Sequence, residues 1–142
     1  MPKLILIRGL PGSGKSTYAR SIDAIHYEAD QFFLTGTNDE YKFDAKLIKV
    51  AHEWCFANTV RALRNGHDVV VSNTFTQLWE LNRYLEIPRT LTDVKVKIVE
   101  MKTQYGNIHN VPEDKLAQMA ERWEEISDAC VEVSGFNITK II

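Results

Sequence analysis

A chain of 142 residues fits one compact domain and can bury a core without disulfide or metal staples. Its composition, 44% hydrophobic and 25% charged, is that of an ordinary globular protein, and a net charge of −2 excludes a broad basic coat for nucleic acid. Cys55 and Cys130 stand far apart with no paired spacing, so neither a disulfide framework nor a zinc site is supported, and the apolar run Leu4 to Ile7 is too short for a signal-peptide core or a membrane span. A reducing, cytoplasmic compartment and no membrane partner are expected.

Charge is uneven. Lys3, Arg8, Lys15 and Arg20 face no acid within residues 1–22, whereas seven acids oppose Lys115, Arg122 and Lys140 within 112–142. The run Leu4–Ile7, broken at Gly9, reads as a strand buried on both faces of a parallel sheet. A helix is predicted from Lys15 to about Ser21, a weaker strand from Ile25 to Ala29, and a loop over 31–43. Asp44 is a plausible N-cap for a long helix that ends at Asn65-Gly66, with Leu47, Ala51, Trp54 and Ala57 on its buried side. Val69-Val70-Val71 is a further buried strand, and a modest helix fits Leu78, Leu81 and Leu85 before Pro88. Val94, Val96 and Ile98 alternate with Lys95 and Lys97, which places that strand toward a sheet edge. Pro112, Glu113 and Asp114 suit a helix start, and Leu116, Met119, Trp123 and Ile126 form a stripe of core type. Residues 137–142 offer a last strand. Strands alternating with helices predict an α/β fold around a mostly parallel sheet of 4–5 strands.

The strongest signal is Gly9-Leu10-Pro11-Gly12-Ser13-Gly14-Lys15-Ser16, which fits G-x-x-x-x-G-K-[ST], the P-loop. Its context is right, directly after an apolar strand and at a helix start. Glycines let backbone amides close on phosphate oxygens. Gly12, Ser13, Gly14, Lys15, Ser16 and Thr17 are the expected ATP-binding residues, with Lys15 on the β- and γ-phosphates and Ser16 on Mg²⁺. No N-K-x-D element for guanine is present. ATP-driven machines place an acid at the end of a buried strand to hold Mg²⁺, but Val69–Val71 runs into Ser72-Asn73. These two absences favour a small kinase that transfers phosphate to a hydroxyl.

Such an enzyme needs a group to take the hydroxyl proton. Asp30 follows the second predicted strand and so belongs to the carboxyl edge, where open α/β sheets bind ligands. Asn73 and Thr74, after the third sheet strand, fall on the same edge and either contact the acceptor or close the turn. Phe32-Phe33 either stacks a base, with Phe33 as a substrate contact, or joins the core.

The P-loop, Asp30, Tyr41-x-Phe43-Asp44, Ala51-His52-x-x-Cys55, Val69 to Thr74 and Asn107-x-His109-x-Val111-Pro112 occur in order. Together, over about residues 3–126, they resemble the polynucleotide-kinase-like group of P-loop kinases, common among phages. The resemblance implies a P-loop NTPase three-layer sandwich in one domain, 1–142, with a short lid at about 100–111. It implies Asp30 as the base on a 5′-hydroxyl of DNA or RNA, with ATP as donor, and the host cytoplasm as location if the chain is phage-encoded. Members with this activity carry an arginine shortly after the Asp, where this chain has Gln31-Phe32-Phe33, and another in the lid, where it has Gly106. Lys102 and His109 are the remaining lid cations. Arg122 either replaces the missing lid arginine or pairs with Glu121 or Glu125. A nucleoside, a nucleotide or a hydroxymethylated base in DNA are other acceptors, and an ATP-binding regulatory module with little transfer is the non-enzymatic alternative.

Overall fold

The computed structural model describes residues 2–35, 40–41, 44–101, 113–125 and 137–141. In chain order come β1 (Lys3–Arg8), α1 (Lys15–Arg20), β2 (Ile25–Tyr27), a 3-10 turn (Ala29–Phe33), the short strands β3 (Leu34–Thr35) and β4 (Glu40–Tyr41), and α2 (Ile48–Arg64). Then follow β5 (Val69–Asn73), α3 (Leu78–Leu85), α4 (Ile87–Thr90), β6 (Lys95–Met101), α5 (Glu113–Arg122) and β7 (Asn137–Ile141). The main sheet has five strands in the order β2-β5-β1-β6-β7, and every pairing is parallel. The α/β architecture is thus as read from the sequence, and β3 and β4 pair antiparallel within the segment expected as loop.

Strand periodicity builds two cores, one on each face. Leu4, Leu6, Val69, Val71 and Ile98 pack with Ala51, Cys55, Ala62 and Leu63 of α2 and Leu81 and Tyr84 of α3. Ile7, Val70, Val99 and Met101 point the other way and pack with Ala19 of α1. A strand covered on both faces must be apolar at every position, which is why β1 and β5 read as unbroken apolar runs. Among the described residues, no helix is long and apolar enough to cross a membrane.

Several local expectations shift. Asp44 caps not α2 itself but a 3-10 turn, Ala45–Leu47, accepting from the Lys46 N–H at 3.0 Å. The buried face of α2 runs through Ala51, Cys55, Thr59 and Ala62, so Leu47 and Ala57 are exposed and Trp54 is only half-buried. Gly66 does end this helix, at φ 85°. The strand holding Lys95 and Lys97 is interior, between β1 and β7. Those lysines mark its exposed start, while Ile98 to Met101 are buried. On α5, Leu116 and Met119 are half-buried rather than core. Ile126, Cys130 and nearly all of the proposed lid, including Lys102, Gly106, Asn107 and His109, lie outside the described residues.

Candidate functional site

The phosphate-type loop leaves the carboxyl end of β1 and enters α1 at Gly14. Gly12 and Gly14 have φ of 85° and 88°, a left-handed conformation that side chains with a Cβ resist. Gly9 is required for a different reason. A Cβ there would meet Ser13 Oγ at 2.5 Å and the Met101 carbonyl at 3.0 Å, so loop and β6 are in direct contact. The Thr74 carbonyl accepts from the Gly9 N–H at 3.3 Å, and the Leu10 carbonyl accepts from the Ser13 N–H at 3.1 Å. Ser13 is 2% exposed and its Oγ has no hydrogen-bond partner, a buried polar atom of the kind a ligand satisfies. Thr17 is exposed on α1.

Lys15 folds back over the loop and donates from Nζ to the Leu10 carbonyl at 3.2 Å. Burial lowers its pKa to about 8, against the pull of Glu28 and Asp30, whose charges favour the ammonium. Negative charge placed at this point would favour the ammonium further. Ser16 donates its hydroxyl to Glu28 Oε1 at 2.6 Å. The same oxygen accepts from Ser72 Oγ at 2.7 Å and lies 2.9 Å from His26 Nε2. Burial alone would raise the Glu28 pKa, but the hydrogen bonds from His26, Ser16 and Ser72 outweigh it and hold the carboxyl at about 2. Ser16, Ser72 and Glu28 are all hard oxygen donors, the set that suits Mg²⁺ rather than a soft metal.

Asp30 is exposed in the 3-10 turn that follows β2, on the carboxyl edge of the sheet. Its negative charge favours the charged forms of Lys15 and of His52 on α2. Asn73 fixes that turn. Its Oδ1 accepts from the Ala29 N–H at 2.9 Å, and its Nδ2 lies 3.8 Å from Cys55 Sγ. Both ends of this buried amide have partners in the fold, which favours the second of the two expected roles for Asn73, closing the turn that carries Asp30. Thr74 is half-buried and contributes its carbonyl to Gly9. Phe33 is 4% exposed in the core, so it has no face for a base and is corrected to a core residue. The partly buried Phe32 ring packs against it at 5.6 Å. Cys55 is buried, and burial raises its thiol pKa, as expected for an inert cysteine.

Arg122 closes α5 and is exposed; no described hydrogen bond or ion pair joins it to Lys15, Ser16 or Asp30. Among the described residues the fully buried cation is instead Arg8, the last residue of β1. Its Nη1 meets Glu100 Oε1 at 3.0 Å, and its other nitrogens donate to the carbonyls of Phe75, Thr76 and Glu124. Trp123 stacks on its guanidinium at 3.8 Å. Arg8 thus ties the start of the phosphate loop to the chain beyond β5 and beyond α5. Phe75, whose carbonyl it grips, has a φ of 46°, a strained value that this clamp sustains.

Two members of this site were not singled out from the sequence. An arginine ending an apolar strand signals a buried partner, and Glu100 is directly across from it in the β1–β6 register. Glu28 sits two residues before Asp30 in extended backbone, so the pleat carries it to the same side as His26. A surface hollow of about 630 Å³, bounded by Asp23, Ile25, Gly66, His67 and Asp68, lies at the opposite, amino-terminal ends of β2 and β5. It takes no part in this site.

The family described as AAA domain matches residues 4–108. NEDD4-binding protein 2 of Homo sapiens is 31% identical over 136 residues, which cover 85% of this chain and 8% of that protein. Among solved structures, a chain of the Pnkp1/Rnl/Hen1 complex is 23% identical with a TM-score of 0.53, over 82% of this chain and 38% of its own. A gluconokinase from Sinorhizobium meliloti gives a TM-score of 0.58 at 16% identity, over 99% and 82%. Chaetomium thermophilum Kti12 in complex with ADP-AlF3 gives 0.62 at 12%, over 97% and 88%. These likenesses establish the fold, that of P-loop kinases.

Proposed function

The chain belongs to the AAA domain family, and on that footing we propose that it is an ATP-dependent kinase acting on a hydroxyl of a nucleic acid or nucleotide, in the manner of a 5′-polynucleotide kinase. What carries this reading is one carboxyl edge that holds both a phosphate-type loop, entering α1 at Gly14, and an acid, Asp30, in the turn after β2. A polynucleotide acceptor is favoured by the motif order in the sequence and agrees with the RNA repair complex among the structural relatives.

The chain's own groups have distinct tasks. The loop amides and Lys15 bind the β- and γ-phosphates. Asp30 orients the acceptor hydroxyl and takes its proton as the oxygen bonds to the γ-phosphorus and ADP departs. Asn73 holds Asp30 in place through the Ala29 N–H. A bound Mg²⁺ would supply charge neutralisation on the polyphosphate. Ser16 is the hydroxyl that would hold it. Arg122, at the end of α5, is the proposed cation in place of the missing lid arginine.

The test is incubation with γ-labelled ATP, Mg²⁺ and a panel of acceptors. The panel holds 5′-hydroxyl DNA and RNA, nucleosides, nucleoside monophosphates and hydroxymethyluracil DNA. Label on a 5′-hydroxyl end is the expected result. Label on a free nucleoside, nucleotide or modified base moves the acceptor within the kinase reading. Label on none of them contradicts it in favour of a nucleotide-binding regulatory module.

A further inference from the structure

We propose that Glu28 is the acid of the metal side of this site, supplied by β2 in place of the acid that β5 lacks; the inference rests on the ATP-binding reading above. The charge of a metal-bound polyphosphate calls for a carboxylate near the loop hydroxyl, and the end of the strand beside β1 is where ATP-handling folds place it. Here that strand is β5, and the position is Ser72. The Ser72 hydroxyl donates to Glu28 Oε1 at 2.7 Å, and Ser16 donates to the same oxygen at 2.6 Å. One carboxylate oxygen from the neighbouring strand therefore stands where a side chain at position 72 would reach.

This placement is built rather than incidental. Glu28 continues β2 in extended backbone, with φ of −137° and ψ of 146°, and β2 pairs with β5 in parallel. His26, on the same side, lies 2.9 Å from both Glu28 Oε1 and Ser72 Oγ and braces the pair. Because Ser16 gives its proton to Glu28, the lone pairs of its oxygen remain available to a cation. Asp30, two residues on, is thereby left to the acceptor hydroxyl, so adjacent carboxylates divide the two tasks.

Glu28→Gln separates a metal role from a structural one. The amide oxygen can still accept from Ser16 and Ser72, but the charge is gone. The readout is ADP affinity by calorimetry, with Mg²⁺ and with EDTA, supported by Mn²⁺ binding to the ADP complex by electron paramagnetic resonance. In the parent chain Mg²⁺ is expected to tighten ADP binding by roughly tenfold or more. In Glu28→Gln that gain should shrink to about twofold, while affinity in EDTA stays within about twofold of the parent. The exchange Glu28→Ser with Ser72→Asp should restore most of the metal gain, since it returns the carboxylate to β5. It also keeps the test open if Glu28→Gln folds poorly. Full metal gain in Glu28→Gln, or a folded exchange variant with none, overturns the assignment. No ADP binding by the parent chain in either condition instead overturns the ATP-binding reading, and this assignment with it.

Discussion

Asp30→Asn is expected to lower phosphate transfer by about 10²- to 10⁴-fold, the usual contribution of a positioned general base. ADP affinity should change by less than about threefold, because Asp30 acts on Lys15 only through charge at a solvent-exposed position. The two effects separate because the Asn73–Ala29 hydrogen bond holds the 3-10 turn. Single-turnover transfer, measured beside ADP calorimetry, reads both. A variant that transfers at the parent rate removes Asp30 from the chemistry, whereas parallel loss of ADP binding makes it part of the nucleotide cradle.

The second large effect is on stability. Arg8→Met leaves the fully buried Glu100 without its guanidinium and strips the clamp from the strained Phe75 carbonyl. Removing one partner of a buried pair costs about 3–5 kcal/mol. For a domain of this size that lowers the midpoint of thermal unfolding by roughly 10–15 °C. Pairing Arg8→Met with Glu100→Leu should recover much of the loss, since no charge is then stranded. A single variant that melts within 2 °C or so of the parent would show that the pair carries little of the fold's stability.

What the sequence made legible follows from local rules. The P-loop glycines, the apolar runs of β1 and β5 and the helix-ending Gly66 each answer to backbone geometry or to burial on two faces, and each is where the pattern put it. What it hid depends on contacts between distant residues. Arg8 and Glu100 are 92 positions apart, so the local excess of positive charge at residues 1–22 looked free although one of its members is spent in an internal pair. Asn73 and Phe33 had the right types for ligand contacts, but their use was decided by Ala29 and by the core. The absence of an acid on β5 was visible; that β2 lies alongside and supplies Glu28 required the strand order.

The most direct measurement of the central claim, that Lys15 and its loop grip the phosphates of ATP, is calorimetric titration of ADP at pH 7 and pH 9. It is run in buffers of different ionisation enthalpy, beside Lys15→Met. The free ammonium has a pKa of about 8, lowered by burial, and bound phosphates raise it. The free chain must therefore take up a proton to bind at high pH. Binding at pH 9 should accordingly be about tenfold weaker than at pH 7, with uptake of close to one proton, and Lys15→Met should show neither the affinity nor the uptake. No heat at either pH, or equal affinity in Lys15→Met, would contradict the claim.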